Sequence, residues 1–588
     1  MYAFLKSLPY ILTEKEQLQL FGISLMLTFL AFMEVTGLAL ISFIIINLDS
    51  LNFVLQSSAL YLHVSDMLYL SNHNPSLIFC SFVIFYSILM VLLSIFVIRY
   101  ISQYSQLIGV NIKSKVTQKL LLMDWEKISQ LSPSENISRI VNDSEQAADA
   151  IYFSMHLFSK FILAIFIIVL LFIFNSVITF AFVGLLGMSY LFLYNYFDIA
   201  TKENSYTGAK SKDLIIKSVK NMIGSFKEIL FYQNSSHVLE NISKHNFAYA
   251  KARGANMAFA QMPRFIIDSL LLISLVSILL YMQLSGVNPI LFFSTISVFG
   301  IAGLKLLPAF QNIFYFAHEI NTRTAYVINL ATLLKTDIDL SEEKNSNHLA
   351  SDEQLLSIEF KDISYKYESS KSFAINRLSL KINKGEKIVL FGPSGSGKST
   401  FIDILLGLIK PIEGEILVNN RINTGMLKAL REKFAYVPQK IYFLEATLAE
   451  NIDFGLKEKN FDNLYGNSEI KKLLSSLPFG METIISDENQ MVSGGQKQLI
   501  GIARALNRSG EVLILDESTS AMDADLEREI LNEVFNSSFK TIIAVSHKPY
   551  LLKKFDKIVL FNDGKIIDYG DFNYLISNNS VFQQLLES

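Results

Sequence analysis

The chain has 588 residues, of which 51% are hydrophobic and 12% aromatic, whereas only 18% are charged. This composition is too apolar for a soluble protein of several domains, and it predicts a protein that contacts lipid. The formal net charge of -3 argues against a protein that binds nucleic acid. The single cysteine, Cys80, excludes a disulfide framework within the chain.

Six apolar runs are long enough to cross a hydrocarbon core of about 30 Å, which takes about 20 helical residues. They lie near 19–48, 77–98, 157–175, 177–197, 265–284 and 289–318. Because the number is even, both ends of the chain are predicted to lie on the same side of the membrane. We therefore expect an all-α, polytopic membrane domain with six transmembrane helices over residues 1–325.

Lysine and arginine are distributed unevenly between the connections of these spans. The loops 49–76, 175–177 and 284–288 contain neither, whereas 99–156 and 202–253 contain many. Because positively charged loops remain in the cytoplasm, the N-terminus, both long connections and everything after the sixth span are predicted to be cytoplasmic. Each long connection keeps a helical apolar pattern, which predicts helices that continue beyond the membrane.

The first external connection, 49–76, is long for a loop between two spans and carries repeated large apolar residues. Two interpretations remain open. It is either a short helix that lies on the membrane surface, or a packed loop that caps the first two spans.

A polar, acidic segment follows the spans and predicts a linker over 326–355. From 356 onward, short β-type runs such as KIVLFG and EVLILDE alternate with helical stretches. This alternation is typical of an α/β nucleotide-binding sheet, and we assign it to 356–588. The predicted fold class is therefore a multi-domain protein, with an all-α membrane domain followed by an α/β P-loop domain.

The run GPSGSGKST follows the strand KIVLF and fits the phosphate-loop pattern G-x-x-x-x-G-K-[ST]. Its glycines let backbone N–H groups surround the phosphates of ATP, and Lys398 reaches the β- and γ-phosphates. The hydroxyl of Ser399 is a candidate ligand for Mg²⁺. The predicted nucleotide-binding residues of this loop are Gly392, Ser394, Gly395, Ser396, Gly397, Lys398, Ser399 and Thr400.

The apolar strand EVLILDE ends in two carboxylates, Asp516 and Glu517. Their side chains point to opposite faces because successive residues of a strand alternate. Asp516 is predicted to hold the metal, and Glu517 to polarise the water that attacks the γ-phosphate.

The motif VSGGQKQ, residues 492–498, precedes a helix and makes the chain resemble ATP-binding cassette (ABC) transporters over nearly its whole length. In that family this signature completes the ATP site of the opposite subunit, so the resemblance implies that two copies of the chain form a homodimer. Val492 and Met522 stand where the family usually has leucine, and neither contacts a phosphate. The residues implied by the signature are Ser493, Gly494, Gly495 and Gln496.

The same resemblance implies roles for residues outside these motifs. Tyr367 is similar to the aromatic residue that stacks on adenine, and Gln439 in YVPQ to the glutamine that binds the metal and couples to the membrane domain. His547 in AVSH resembles the γ-phosphate switch, and Asp523 in SAMD resembles the aspartate of the dimer-facing loop.

Six spans ahead of one nucleotide-binding domain resemble the half-transporter exporters of the family. Residues 124–130 and 225–232 look like the coupling helices that press on the nucleotide-binding domains. The resemblance implies an ATPase that drives transport across the bacterial inner membrane, with its nucleotide-binding domain in the cytoplasm. The implied cofactors are ATP and Mg²⁺, and the implied partners include membrane lipids but no nucleic acid.

Charged residues inside the apolar spans bear on the cargo. Arg264 and Asp268 lie four residues apart at the start of the fifth span, Lys305 lies in the sixth and Glu34 in the first. One interpretation is that these residues are paired, Arg264 with Asp268 and Lys305 with Glu34 or a backbone carbonyl. The other is that Arg264 and Lys305 form a cationic cavity wall suited to a phosphate or pyrophosphate head group. Both remain open.

The segments QMPRFIIDS and FSTISVFGIAGLKLLPAFQNI are similar to PglK-type lipid-linked oligosaccharide flippases, with Lys305 in place of arginine before Leu-x-Pro. A second-span cation of that type has no counterpart in 77–98. The resemblance implies ATP-driven flipping of a polyprenyl-pyrophosphate-linked oligosaccharide. Two alternatives stay open: export of another amphiphile such as a lipid A-like lipid, drug or peptide, and an ATP-gated regulator or channel.

Overall fold

A computed structural model describes residues 2–46, 75–130, 133–284, 289–335, 354–368, 370, 372–422, 430–455, 468–486, 492–508 and 510–587. The chain divides into two compact units. The first comprises Met1–Met123 and Ser129–Ile338, and it is helical. The second comprises Asp124–Ile128 and Asp339–Ser588, and its main part is an α/β domain.

Long helices dominate the first unit. In chain order the helices up to residue 335 are α1 (Tyr2–Ile11), α2 (Glu14–Ile46), α3 (Pro75–Leu122), α4 (Trp125–Gln130), α5 (Pro133–Ser138), α6 (Ser144–Phe174), α7 (Ser176–Gly224), α8 (Phe226–Phe231), α9 (Ser235–Leu284) and α10 (Pro289–Lys335). A π-helical turn, Arg139–Asp143, joins α5 to α6. The 48 residues of α3 extend for about 72 Å. This length confirms that helices continue well beyond a hydrocarbon core of about 30 Å.

Within the described ranges, five helices are long and apolar enough to cross a membrane: Glu14–Ile45, Pro75–Leu122, Glu135–Phe174, Ser235–Tyr281 and Ser297–Lys335. They overlap five of the six predicted spans. The fourth predicted span, 177–197, lies on α7 and stays a prediction as a membrane crossing.

The first unit buries one side of its helices and exposes apolar residues on the other. The helix α9 packs along α7, and α10 packs along α6. Ile167 and Leu306 are fully buried in this core. In contrast, Ile173 is 81% exposed and Phe180 is 74% exposed. An exposed apolar surface of this extent is typical of a protein that contacts lipid.

The junction between α6 and α7 is the tight turn predicted at Asn175 and Ser176. Asn175 has an extended backbone, and its side-chain oxygen accepts a hydrogen bond from the backbone N–H of Ile178 at 3.1 Å. This cap satisfies one of the free N–H groups at the start of α7. The chain therefore reverses without a long loop.

The helix α10 continues through Lys335, so residues 326–335 of the predicted linker are helical. This segment is helical because its residues Val327 and Leu330 are buried in the core of the first unit. Residues 336–353 lie outside the described residues, as do most of the external loop 49–76 and most of the connection 284–288. The two interpretations of 49–76 therefore remain as they were.

The second unit has a central six-stranded sheet in the order β12-β11-β3-β10-β9-β6. Its strands β11, β3, β10, β9 and β6 are parallel, and β12 pairs antiparallel with β11. A four-stranded antiparallel sheet has the order β2-β1-β4-β5, and β7 pairs with β8. The strands are β1 (Ser357–Tyr365), β2 (Ile375–Asn383), β3 (Lys387–Phe391), β4 (Glu413–Val418), β5 (Arg421–Ile422), β6 (Phe434–Val437), β7 (Ala446–Thr447), β8 (Ile484–Ile485), β9 (Val512–Asp516), β10 (Thr541–Val545), β11 (Lys557–Asn562) and β12 (Lys565–Gly570).

Helices cover this sheet, as expected of a parallel sheet with apolar strands. They are α11 (Lys398–Leu405), α12 (Leu448–Asp453), α13 (Ser468–Ser476), α14 (Gly494–Leu506), α15 (Ala524–Phe535), α16 (Pro549–Leu552), α17 (Phe572–Asn578) and α18 (Ser580–Glu587). Every residue of β9 and β10 is buried. Val545 pairs in register with Asp516 on one side and with Leu390 on the other, so β3, β9 and β10 end at one edge of the sheet. Ligands of open α/β sheets bind at this edge.

Candidate nucleotide site

The phosphate loop leaves the carboxyl end of β3 and leads directly into α11. Its backbone requires glycine at two positions. Gly392 has a φ of +151°, and a Cβ there would lie 2.2 Å from the carbonyl oxygen of Phe561. Gly397 has a φ of +100°, and a Cβ there would lie 2.5 Å from the carbonyl oxygen of Ala374. Because these two residues have no Cβ, the backbone N–H groups of the loop can approach a ligand closely.

The ammonium of Lys398 lies inside this loop. It donates to the carbonyl oxygens of Gly392 at 2.9 Å and Pro393 at 2.8 Å. Burial lowers the pKa of Lys398, and the charges of Glu517 and Asp516 oppose that shift. The N–H groups at the start of α11 add positive potential at the same place. The loop therefore presents the charge and the donors that phosphate groups need.

Asp516 and Glu517 follow one another at the end of β9 but meet different partners, as the alternation of strand side chains predicts. Asp516 is buried, and its Oδ2 accepts a hydrogen bond from the hydroxyl of Tyr436 at 3.4 Å. Burial raises the pKa of Asp516, and the neighbouring charge of Glu517 raises it further. A buried carboxylate beside a phosphate loop is a suitable oxygen ligand for Mg²⁺.

Glu517 is held by two residues that come from other parts of the domain. The side-chain amide of Gln439 donates to its Oε2 at 2.6 Å, and Nε2 of His547 lies 3.0 Å from its Oε1. The backbone of Glu517 has a φ of +46°, a left-handed conformation that costs about 1 to 3 kcal/mol for most residues. Two of the predicted residues therefore converge on the carboxylate of a third.

The residues of this site fit ATP and Mg²⁺. Within the described ranges, no group of three or more His, Cys, Asp or Glu side chains forms a metal site by itself. A metal ion here would depend on single oxygen ligands from Ser399, Gln439 and Asp516 together with phosphate oxygens. When bound, Mg²⁺ neutralises phosphate charge during phosphoryl transfer.

Tyr367 lies beside the first turn of α11. Its hydroxyl is 3.2 Å from Oγ1 of Thr400, and its ring stands at 89° to the ring of Tyr365 with the centroids 5.0 Å apart. The hydroxyl of the buried Tyr365 donates to Oε1 of Glu126 at 2.7 Å. Glu126 belongs to the segment Asp124–Ile128, which packs as part of the second unit.

The signature residues build the start of α14. Oγ of Ser493 accepts from the backbone N–H of Gln496 at 3.3 Å, and Oε1 of Gln496 accepts from the N–H of Ser493 at 2.7 Å. A Cβ on Gly494 would contact the side chain of Ala521, and a Cβ on Gly495 would lie 3.3 Å from the carbonyl oxygen of Ala521. The helix is therefore packed closely on the loop that follows Glu517.

Asp523 ends that loop and caps α15, since its Oδ1 accepts from the N–H of Leu526 at 2.9 Å. Among the described residues, the side-chain hydrogen bonds of Ser493, Gln496 and Asp523 stay within these caps and do not reach the phosphate loop. The structure thus brings together the phosphate loop, Asp516, Glu517, Gln439 and His547, with Tyr367 beside α11. It leaves the signature residues at a separate helix terminus.

Two further residues of the site were missed by the sequence analysis. Tyr436 binds Asp516, and Asp403 lies one turn after Ser399 on α11. Burial raises the pKa of Asp403 to about 6, and the charge of Asp516 adds to that shift. A signal for Tyr436 was present, because it opens the YVPQ motif. A signal for Asp403 was its position on the same face of α11 as Ser399.

We expect Asp403→Asn to stabilise the second unit more at pH 8 than at pH 5. The pKa of about 6 exceeds the ordinary 3.8, so the folded state binds the proton more tightly and loses stability as the pH rises to about 6. The Asp403→Asn variant has no carboxyl group to deprotonate at this position, so its folded state does not lose this stability as the pH rises. Since the carboxyl is partly exposed, we expect about 1 kcal/mol, or about 2 to 4 °C in unfolding temperature.

Scanning fluorimetry of the whole protein measures this shift, and the transition of the second unit is the one that ATP raises. The control is Glu432→Gln, which neutralises an exposed carboxylate of the same domain. Equal shifts at pH 5 and pH 8 would contradict the proposed origin of the effect.

The two cations predicted to face a cargo are both exposed. Nε of Arg264 lies 4.0 Å from Oδ2 of Asp268, and the Arg264 side chain is 66% exposed. Asp268 also accepts a hydrogen bond from the side-chain amide of Gln311 at 2.5 Å. Within the described part of the chain, Lys305 and Glu34 form no ion pair with each other. The pairing interpretation therefore applies at most to Arg264, through a long and weak contact.

Comparisons with known proteins agree with this architecture. The family model described as ABC transporter matches residues 375–520. An ATP-dependent lipid A-core flippase of Vibrio parahaemolyticus is 36% identical over 261 residues, which cover 42% of this chain and 44% of the relative. The matched region thus spans less than half of that relative. An ATP-dependent lipid A-core flippase 2 of Colwellia psychrerythraea is 25% identical over 85% of this chain and 87% of its own length.

A solved structure extends the likeness to the whole fold. It is described as a bacterial Atm1-family ABC exporter with ATP bound, and it covers 98% of this chain and 99% of its own chain. The TM-score is 0.79 at 15% sequence identity. The likeness therefore establishes the fold, with a helical membrane-type region followed by an α/β nucleotide-binding domain.

Proposed function

We propose that this chain is an ABC half-transporter of the exporter type and that it uses ATP hydrolysis to move an anionic lipid across a membrane. The observation that carries the ATPase is the Glu517 carboxylate, which Gln439 and His547 hold at the end of β9. In the proposed mechanism Lys398 binds the β- and γ-phosphates, and Glu517 accepts the proton of the attacking water. His547, in contact with the same carboxylate, is placed to bind the γ-phosphate.

The lipid is proposed from two lines of support. Relatives named as lipid A-core flippases match 42% of the chain in one case and 85% in another. The exposed cations Arg264 and Lys305 lie in apolar spans, where a charge is costly unless it serves a ligand or a partner. We propose a lipid with a phosphate or pyrophosphate head group. A polyprenyl-pyrophosphate-linked oligosaccharide and a lipid A-like lipid share this chemistry.

We propose that two copies of the chain work together. The caps formed by Ser493, Gln496 and Asp523 stay apart from the phosphate loop of their own chain. A second copy would place the N-terminus of α14 against the phosphates. We further propose a multi-pass location in the bacterial inner membrane, with the second unit in the cytoplasm.

Two short helices are proposed to couple the ATP site to the membrane domain. The segment Asp124–Ile128 already packs with the second unit, and its Glu126 binds Tyr365 beside Tyr367. The helix α8 exposes apolar residues, with Phe231 being 78% exposed. An exposed apolar face on a short connecting helix is typical of a docking surface.

Stimulation of ATP hydrolysis by defined lipids tests this proposal. The protein is purified into nanodiscs and given lipid A, undecaprenyl-pyrophosphate-linked sugar, a hydrophobic drug or a peptide. We expect the phosphate-bearing lipids to raise the rate of the wild type, and Tyr365→Phe to reduce the ratio of stimulated to basal rate. The control is Tyr569→Phe, which removes an exposed hydroxyl on β12.

The choice of stimulating lipid separates the two anionic cargoes. Stimulation by the drug or peptide alone would contradict an anionic lipid. Full biological activity of Glu517→Gln would contradict pumping altogether, and it would favour an ATP-gated regulator or channel.

A further inference from the structure

The first unit contains a polar cavity of about 380 Å³ between α6, α7, α9 and α10. The residues that matter for its chemistry are Asn204 and Lys212 on α7, Arg253 and Asn256 on α9, and Glu319 and Arg323 on α10. Cavities of a few hundred Å³ with convergent polar groups are typical of small-ligand sites.

The cavity has an excess of positive charge. Of its cations, Arg323 is already neutralised, because its guanidinium donates to the Glu319 carboxylate and lies 3.9 Å from Oδ2 of Asp149. It also lies over the ring of Phe153 at 4.7 Å, which fixes its position. Arg323 and Glu319 therefore form a wall of the cavity. The remaining positive charge of the lining residues comes from Lys212 and Arg253.

Lys212 and Arg253 supply that remaining charge. Lys212 donates to the side-chain oxygen of Asn142 at 2.5 Å, and Arg253 lies over the ring of Tyr249 at 6.0 Å. Among the described residues, neither forms an ion pair with a carboxylate. The charge of Lys212 does act on the adjacent Asp213, whose pKa burial raises. Both contacts orient a cation without neutralising it. An arginine and a lysine held in this way at one cavity favour a phosphate.

The cavity also contains an uncharged side chain, Asn256, whose side-chain oxygen lacks a hydrogen-bond donor in the described part of the chain. Nδ2 of Asn256 donates to Oγ of Ser205 at 3.0 Å, and Ser205 in turn donates to the carbonyl oxygen of Thr201 at 2.7 Å. The Oδ1 of Asn256 is buried and has no hydrogen-bond partner among the described residues. A buried acceptor without a partner costs about 1 to 3 kcal/mol, which a ligand hydroxyl would recover.

The cavity lies on the cytoplasmic side of the predicted spans. Arg253 precedes Arg264 by eleven residues of α9, which is about 16 Å along the helix. Arg323 likewise follows the predicted sixth span, 289–318. A ligand that enters from the cytoplasm would therefore meet this cavity before it reaches Arg264.

We infer that this cavity binds a phosphorylated sugar, with its phosphate on Lys212 and Arg253 and a sugar hydroxyl on Asn256. The inference deepens the proposed function and rests on it, because the phosphorylated sugar is taken as the head group of the transported lipid. A free sugar phosphate shares the same chemistry. The cavity would select the head group in the cytoplasm, ahead of the movement across the membrane.

Two probes test the inference on the full-length protein in nanodiscs. Lipid A carries the phosphorylated sugar on a lipid, and its half-saturating concentration is measured from stimulated ATP hydrolysis. Glucose 1-phosphate is the free form, and its binding is measured by calorimetry. The variants are Arg253→Gln and Asn256→Leu, with Arg253→Lys as the conservative change. The matched control is Lys251→Gln, which removes an exposed charge two residues away on α9.

We expect Arg253→Gln to raise the half-saturating concentration of lipid A roughly tenfold, Arg253→Lys to restore part of the affinity, and Lys251→Gln to leave it unchanged. Loss confined to lipid A assigns the cavity to lipid head groups, and a parallel loss for glucose 1-phosphate shows that free sugar phosphates enter too. Unaltered affinity in both Arg253→Gln and Asn256→Leu overturns the inference but not the proposed function. If lipid A stimulates no hydrolysis in the wild type, undecaprenyl-pyrophosphate-linked sugar replaces it as the lipid probe, and the proposed function fails if neither lipid stimulates. In that case the inference about the cavity is tested by glucose 1-phosphate alone, and it is overturned if this probe does not bind or binds equally to Arg253→Gln.

Discussion

Glu517→Gln is expected to lower the rate of ATP hydrolysis by about 10²- to 10⁴-fold, the range typical for loss of a general base. Glutamine keeps the size of the side chain and its contact with Gln439 but cannot accept the proton of the attacking water. ATP binding should persist, because Lys398 and the phosphate loop are unchanged. Phosphate release measures the rate, and a fluorescent ATP analogue measures binding.

The control for this variant is Glu482→Gln, an exposed carboxylate of the same domain. It should hydrolyse ATP at the wild-type rate. If Glu517→Gln retained more than about a tenth of the activity, the general base would have to be another group.

Lys398→Gln is expected to impair an earlier step, the binding of ATP. The ammonium is held inside the phosphate loop by the carbonyl oxygens of Gly392 and Pro393, so its charge is placed for the phosphates. A hydrogen bond to a charged group contributes about 1.5 to 3 kcal/mol, so the Kd for ATP should rise about 10- to 100-fold. Hydrolysis should fall with it, and titration of a fluorescent ATP analogue measures the Kd.

A matched control for this charge is Lys410→Gln, an exposed lysine beyond the end of α11. The two phosphate-site variants should differ in kind, since Glu517→Gln keeps the wild-type Kd for ATP and Lys398→Gln raises it. An unchanged Kd in Lys398→Gln would contradict the role given to this lysine.

Much of the nucleotide site could be predicted from the sequence because several of its motifs follow strands. The phosphate loop follows β3, Glu517 follows β9 and His547 follows β10, and parallel strands bring these ends to one edge. The contact of Gln439 with Glu517 needed the structure. The structure was also needed to recognise Asp403. Its pKa depends on its burial and on the charge of Asp516, and these two effects cannot be derived from spacing along the chain.

The membrane unit was less predictable in its details. Apolar runs predicted the approximate spans, but the predicted linker began too early. The burial of Val327 and Leu330 extends α10 to Lys335, ten residues into the segment predicted as linker. The cavity around Arg253 joins four helices that are distant in sequence. Helical periodicity predicts which residues share a face, but it does not predict which faces meet.

The proposed function requires that ATP hydrolysis at Glu517 move a phosphate-bearing lipid from one leaflet to the other. Its most direct test follows fluorescent lipid A and undecaprenyl-pyrophosphate-linked sugar in proteoliposomes, using a quencher that reaches only the outer leaflet. The proposed function predicts that, with ATP and Mg²⁺, the wild type transfers at least one of these lipids and Glu517→Gln transfers neither. Equal transfer by the wild type and Glu517→Gln, or no transfer of either lipid by an actively hydrolysing wild type, would contradict it.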